Sequence, residues 1–360
     1  MQKLPSSDYT VVDVEEADIV ARVAGIFTKN GNAKAESHLR WQYLEPPAGS
    51  AYTAIAVAHN NDDAAIYSVF KVKGIEHGTE AVFCQSLDTL TDKEHRGQGL
   101  FPKIAKAVFE RCDKDSVRFI YGFPNSSSAP GFFGKLGWKD LGHPPFKAHL
   151  SNLLFPFNYA LALKGWCLKN YPARKLLKLS IARNSEALGA TVVDTCGFEL
   201  DEYESIWRAF AQDLKVCVAR DREYMLWRYK QKASADYKYV SVFGGSGNLL
   251  GAAVYTLQAK HRGKIGYVMD IVCDPKDVRV SRLLIASVVS RLYDLGADMI
   301  LAWSADSSPL DTAYRRGLFF KLPRFLQPIK LHFGYRPNKD APKLIEAEDF
   351  FISYADSDTV

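Results

Sequence analysis

Glu94-His95-Arg96-Gly97-Gln98-Gly99-Leu100-Phe101-Pro102 joins two closely spaced glycines to a run in which Ile104, Ala105, Val108 and Phe109 recur at helical spacing. Such a turn can cradle an anion. Glycines without a Cβ let backbone N–H groups approach a phosphate, and the positive end of the following helix dipole adds to the attraction. Pro102 falls in the helix's first turn, where its missing N–H costs little. Just upstream, Gln85, Ser86 and Asp88 stand at the end of an apolar, strand-like run. Asp88 is a carboxylate that could act as a proton acceptor, and equally a strand-end carboxylate bound to backbone amides or an arginine. Gln85 and Ser86 could orient a substrate or face a hydrogen-bonded core. His95 could titrate near neutrality, although packing or phosphate contact suits it as well.

The elements that must position these groups occur twice. Arg40-Trp41-Gln42-Tyr43 is echoed by Leu226-Trp227-Arg228-Tyr229, and each is followed by a strand-like run, a turn and a second strand: Ala51 to Ala58, Asn60 to Asp63 and Ala64 to Val72 in the first half; Tyr239 to Phe243, Gly244 to Asn248 and Leu249 to Leu257 in the second. Leu87-Asp88-Thr89-Leu90-Thr91-Asp92-Lys93 then aligns without a gap to Met269-Asp270-Ile271-Val272-Cys273-Asp274-Pro275. A helix follows each, then a strand at Phe119 to Phe123 and at Met299 to Trp303. The constant order points to a tandem duplication, with expected domains at 1–145 and 193–360 and a linker at 146–192. The second copy lacks the glycines. Asp277-Val278-Arg279-Val280-Ser281-Arg282 places side chains where a cradle needs bare backbone, so only the first copy is expected to bind an anion there.

Composition sets the bounds. A 360-residue chain that is 47% hydrophobic and 24% charged is a globular protein of about two folding units, neither disordered nor a disulfide scaffold. A net charge of +5 suits phosphate-bearing ligands and falls far short of a nucleic-acid coat. The six cysteines are scattered singly with no C-x-x-C pair, so neither a metal site nor a disulfide framework is expected, and a reducing cytoplasm fits best. Between the copies, residues 141–185 contain no Asp or Glu but carry Lys147, Lys164, Lys169, Arg174, Lys175, Lys178 and Arg183 beside Leu153 to Phe157 and Trp166. The stretch 147–183 could lie peripherally on an anionic membrane or serve as a packed linker helix. Near the C-terminus, Glu346, Glu348, Asp349, Asp356 and Asp358 surround Phe350 to Tyr354, which reads as an edge strand with a solvated acidic tail.

The glycine turn resembles the [QR]-x-x-G-x-[GA] signature of the GCN5-related N-acetyltransferase (GNAT) superfamily, here Arg96-Gly97-Gln98-Gly99-Leu100-Phe101. Downstream, Asn125-Ser126-Ser127-Ser128 and Phe132-Phe133-Gly134-Lys135-Leu136-Gly137-Trp138 are similar to the superfamily's second block. The resemblance implies an α/β (α+β) fold of two GNAT-like domains, each a mixed, mostly antiparallel sheet flanked by helices. It implies acyl transfer from acetyl-CoA to a small primary amine, without a metal and without nucleic acid. Backbone amides of Arg96, Gly97, Gln98, Gly99, Leu100 and Phe101 would hold the pyrophosphate. Leu90 and Thr91 would meet the pantetheine arm where their strand splays from its neighbour, with Asn125, Phe132 and Phe133 completing the donor site. Phe133 stands where the superfamily usually has a tyrosine acid, and it cannot donate a proton. Asp88, Gln85 and, from the second copy, Tyr314 are the catalytic candidates, with Asp270 and Arg316 on the acceptor side. An amino sugar or another surface-polysaccharide precursor would suit the basic segment as acceptor. The alternatives are a Fem-like transferase fed by aminoacyl-tRNA and a catalytically silent CoA-binding module.

Overall fold

The computed structural model describes residues 9–161, 167–232, 236–260, 262–339 and 345–357. Lys164, Trp166 and Asp358 lie outside the described residues. The chain runs β1 (Tyr9–Asp13), α1 (Glu16–Lys29), α2 (Glu36–Tyr43), β2 (Tyr52–Ala58), β3 (Asp63–Glu76), β4 (Thr79–Thr91), α3 (Leu100–Lys114), β5 (Phe119–Gly122), α4 (Ala129–Lys135) and β6 (Lys139–Asp140). It continues through β7 (Phe146–Leu150), α5 (Phe155–Leu161), α6 (Tyr171–Leu188), β8 (Thr191–Val193), α7 (Tyr203–Ala211), β9 (Val216–Val218), α8 (Arg222–Met225), β10 (Lys238–Phe243), β11 (Leu249–Lys260) and β12 (Gly263–Cys273). Last come α9 (Val278–Asp294), β13 (Met299–Trp303), α10 (Asp311–Arg316), β14 (Phe320–Lys321) and β15 (Gly334–Pro337).

Two compact units result, each built on one sheet. In the first the strand order is β1-β2-β3-β4-β5-β15-β6, and in the second β8-β10-β11-β12-β13-β7-β14. Pairing is antiparallel except between β4 and β5 in one and β12 and β13 in the other. Both units are therefore mixed, mostly antiparallel sheets with helices packed on them, as the sequence implies. The duplication extends to the register of the parallel pair. Cys84 faces Ile120 and Gln85 faces Tyr121, while the aligned Gly266 and Tyr267 face Ile300 and Leu301. One residue beyond, an extra residue bulges from β4 at Leu87-Asp88 and from β12 at Met269.

The units are interleaved along the chain. Unit 1 takes residues up to 143 together with 230–234 and 331–347; unit 2 takes 144–229, 235–330 and 348–360. This differs from the three-part division expected at 145 and 192. The strand that follows the first copy, β7, pairs with β13, and the strand that follows the second, β15, pairs with β5. An unpaired strand edge must find a partner, and here each copy's closing strand is supplied by the chain beyond the other copy. The stretch expected as a linker is thus part of unit 2, with β7 in its sheet and α6 packed along α9. Tyr171, Leu176 and Leu179 on α6 remain exposed. Among the described residues no helix is long and apolar enough to cross a membrane.

In unit 1, α3 buries Ile104, Ala105, Val108, Phe109 and Cys112 against Ala54, Tyr67 and Cys84 of the sheet. Full burial of each branched or aromatic side chain stabilises by about 2 kcal/mol. That packing fixes the N-terminus of α3 beside the end of β4.

The expected solvated tail is corrected. Phe350 bridges to Val216, and Ser353, Tyr354, Ala355 and Asp356 are buried in unit 2, where Ser353 and Asp356 close a capping box. Aromatic and small side chains in that stretch outweigh the solvation of one carboxylate, because the carboxylate finds an arginine.

Candidate functional site

The turn into α3 offers backbone rather than side chains. Gly97 and Gly99 have φ of +80° and +70°, a left-handed conformation that a side chain would strain, and a Cβ at either would meet nothing within 4 Å. Gly99 caps α3 without a side-chain hydrogen bond, and no acidic residue lies in the helix's first turn. The leading N–H groups and the dipole are thereby left to an external anion. Leu100 is buried in the core, and Phe101 packs against Phe132 and Tyr67 at ring separations of 5.1 and 5.8 Å. Of Arg96 to Phe101, then, the last two offer only main chain. Arg96 is exposed and folds its Nε back to the Thr91 carbonyl (3.4 Å), and Gln98 is half-buried.

Beyond Gln85–Tyr121 the strands β4 and β5 part. From Ser86 to Thr91, β4 pairs only with β3 on one side, Leu90 with Ile66 and Thr91 with Ala65. Its other edge is free of β5, and residues 86–91 are half-buried. An extended ligand arm could add to that edge as a strand would.

Asp88 stands on the bulge, and its Oδ2 accepts hydrogen bonds from the Tyr43 hydroxyl (2.6 Å) and the Lys34 ammonium (2.5 Å). Neither partner was singled out from sequence. Gln85 is buried, its Oε1 accepting from the Tyr121 hydroxyl at 3.1 Å. His95 is buried between the Tyr9 hydroxyl (3.1 Å from Nδ1) and the Asp62 carboxylate, a structural setting. Lys29 and His95 hold that carboxylate below its usual range. Asn125 turns its Oδ1 onto the amides of Ser127 (3.0 Å) and Ser128 (3.1 Å), fixing the approach to α4. Phe132 is a core residue packed on Trp138 at 4.6 Å. Phe133 lies 5.7 Å from the ring of His332, and a Cβ on Gly334 would strike it at 2.5 Å. His332 carries a buried Nδ1 that has no hydrogen-bond partner among the described residues. His143 lies beside it at 5.0 Å, donating from Nδ1 to the Leu331 carbonyl (2.8 Å). No sequence signal marks His332, because it reaches the site through the exchanged strand.

Tyr314 belongs to unit 2, whereas Asp88 and Gln85 belong to unit 1. It is 3% exposed and packed on Phe319, and burial pushes its phenol far above the ordinary value. The structure makes it a core residue there. Asp270 is likewise buried, paired with a fully buried Arg220, and its carboxyl is pushed up to about 6 by burial, against the pull of that arginine. Arg316 lies in the last turn of α10. At the entrance to α9, the Asp277 carboxylate accepts from the amides of Arg279 (3.0 Å) and Val280 (3.3 Å), so the second copy fills its own helix terminus. Among the described residues no group of three or more His, Cys, Asp or Glu side chains is placed to hold a metal.

A glycine turn thus opens onto an uncapped helix, next to two parallel strands that part. Residues 14–140 match the family profile of the acetyltransferase (GNAT) domain, and this first domain belongs to the GNAT superfamily. Solved structures similar in fold span the whole chain. A probable N-acyltransferase from Enterococcus faecalis has 10% identity and a TM-score of 0.58 over 92% of this chain and 73% of its own. A GCN5-related N-acetyltransferase from Anabaena variabilis, also 10% identical, has a TM-score of 0.59 over the same shares. Saccharomyces cerevisiae N-myristoyltransferase with bound myristoyl-CoA is 12% identical, with a TM-score of 0.58 over 94% of this chain and 80% of its own. No curated protein sequence matches the chain significantly.

Proposed function

We propose that the protein is an acyl-CoA-dependent N-acyltransferase that uses acetyl-CoA and a primary amine, with the donor held by unit 1. The observation that carries this reading is the contrast at the two helix entrances, open at Gly97 and Gly99 and closed by Asp277. The amides from Arg96 to Phe101 would hold the pyrophosphate, and the free edge of β4 from Ser86 to Thr91 would take the pantetheine arm. When bound, the thioester supplies an activated acyl carbon and a leaving thiolate of modest basicity.

The chain's own residues handle the protons. Both partners of Asp88 act on Oδ2, so Oδ1 is the atom that would accept a proton from the ammonium form of the acceptor. Gln85 and Tyr121 hold each other at the fork of the strands and keep its width fixed. Phe133 cannot donate a proton, and His332 beside it is the residue that would. An amino sugar is one acceptor within the amine class. The test is release of free thiol from acetyl-CoA with a panel of amines. Turnover without tRNA is the expected result, and absence of thiol release with every amine would leave only a binding module.

A further inference from the structure

The match between Arg40-Trp41-Gln42-Tyr43 and Leu226-Trp227-Arg228-Tyr229 runs back without a gap to Lys34 and Arg220. The structure bears this pairing in both units. Lys34 and Arg220 each directly precede the N-cap residue of a helix, Ala35 of α2 and Asp221 of α8. Each is bonded to the aligned aspartate: Lys34 Nζ to Asp88 Oδ2 at 2.5 Å, Arg220 Nε to Asp270 Oδ2 at 3.1 Å.

In unit 2 this constellation grips a segment of the chain itself. Arg220 Nη2 donates to the Asp356 carboxylate (2.5 Å) and to Ser353 Oγ (3.1 Å). Arg228 donates from Nε to the Ala355 carbonyl (3.2 Å) and from Nη2 to the Ser357 carbonyl (2.7 Å). The Tyr354 ring stacks on Trp303 at 4.6 Å and meets Tyr267 edge-on at 5.3 Å. Trp303 ends β13 and pairs with Phe146, whose ring is 5.6 Å away. An aromatic body and a carboxylate thus sit where the parallel strands part.

Unit 1 repeats the recognising half of this arrangement. Registers Ala302–Lys147 and Gly122–Gly334 place Phe123 and Phe333 at the positions of Trp303 and Phe146, and their rings stack at 5.2 Å. Gln42 takes the position of Arg228. It is 2% exposed, yet its Oε1 has no hydrogen-bond partner among the described residues. A buried amide oxygen in that state costs free energy that a ligand N–H would recover. Lys34 has three N–H donors and one carboxylate partner among the described residues.

We propose that Lys34 forms a carboxylate-recognising subsite for the acceptor, and that Gln42 Oε1 accepts a hydrogen bond from an N–H of the same ligand. The amine acceptor carries a carboxylate that pairs with Lys34 as Asp356 pairs with Arg220, and an apolar body that rests on Phe123 and Phe333 as Tyr354 rests on Trp303. The inference rests on the acyltransferase reading for the amine, but not for the anion.

Calorimetric titration of the full chain with L-phenylalanine and with L-phenylalaninamide tests it, alongside acetyl-CoA in separate titrations. The free acid binds about ten-fold or more tightly than the amide. That preference is lost in Lys34→Gln and returns in Lys34→Arg, while acetyl-CoA affinity is the same in all three chains. Equal affinity for acid and amide, a preference that survives Lys34→Gln, or no saturable binding of either compound overturns the proposal. Acetyl-CoA binding without acid preference removes the subsite and spares the transferase; acid preference without acetyl-CoA binding does the reverse.

Discussion

The two units share a sheet order, a parallel register and a bulge, yet they treat the same two positions oppositely. At the helix entrance unit 1 has glycines with open space above them, and unit 2 has Asp277 spending its carboxylate on the helix amides. At the parting of the strands unit 1 keeps a half-buried Lys34–Asp88 pair, and unit 2 buries Arg220 between Asp270 and Asp356. One duplicated frame therefore leaves the helix entrance open in one copy and fills it with the chain's own carboxylate in the other. The difference lies in a few side chains and one C-terminal segment, not in topology.

The sharpest way to break this comparison is to remove the two cations. Arg220→Met leaves two buried carboxylates without their cation and lowers the stability of the chain by about 3–5 kcal/mol, read from urea unfolding. Lys34→Gln leaves Asp88 with Tyr43 and costs about 1 kcal/mol or less. Similar losses in both would show that unit 1 depends on its pair as unit 2 does. A second variant gives unit 1 the entrance of unit 2: Gly99→Asp sets a carboxylate against the pyrophosphate and weakens acetyl-CoA binding about 100-fold, with circular dichroism unchanged.

The pH response of unit 2 is a smaller effect with a definite sign. Asp270 is pushed up from 3.8 to about 6 by burial, so the native state holds its proton more tightly than the unfolded chain. Its contribution to stability is present below pH 4 and is lost as pH rises to about 6. His149, whose imidazole burial lowers from 6.5 to about 4, acts oppositely: the native state refuses a proton, and stability rises with pH across that window. The two nearly cancel in the natural chain. Asp270→Asn uncovers a rise, and His149→Phe a fall, each on the order of 2 kcal/mol in the unfolding free energy from urea titrations between pH 4 and 6.5. The smallest expected change is in turnover. His332→Gln lowers kcat about ten-fold while leaving the KM for acetyl-CoA unchanged.

Much of this was legible before any coordinates. The glycine turn, the strand carrying Asp88 and the aligned Asp270 follow from residue type and local periodicity, which are short-range properties. The gap-free run from Lys34 to Tyr43 against Arg220 to Tyr229 was also present in the letters, but only Trp41 and Tyr43 are identical, and a lysine opposite an arginine carries no mark of a shared aspartate. Tyr314 illustrates a different limit. Position within a repeat does not report burial, and packing on Phe319 turns a candidate acid into core. The exchange of β7 and β15, the arrival of His332 beside Phe133 and the burial of Asp356 are set by pairings between residues far apart in sequence, which local pattern does not encode.

The central claim is that one copy binds acyl-CoA and the other has closed itself to it. Calorimetric titration of the full chain with acetyl-CoA tests this most directly. A stoichiometry of one per chain, kept in Asp277→Gly and lost in Gly99→Asp, is the expected result. Two equivalents per chain, no heat at all, or full binding after Gly99→Asp would contradict it.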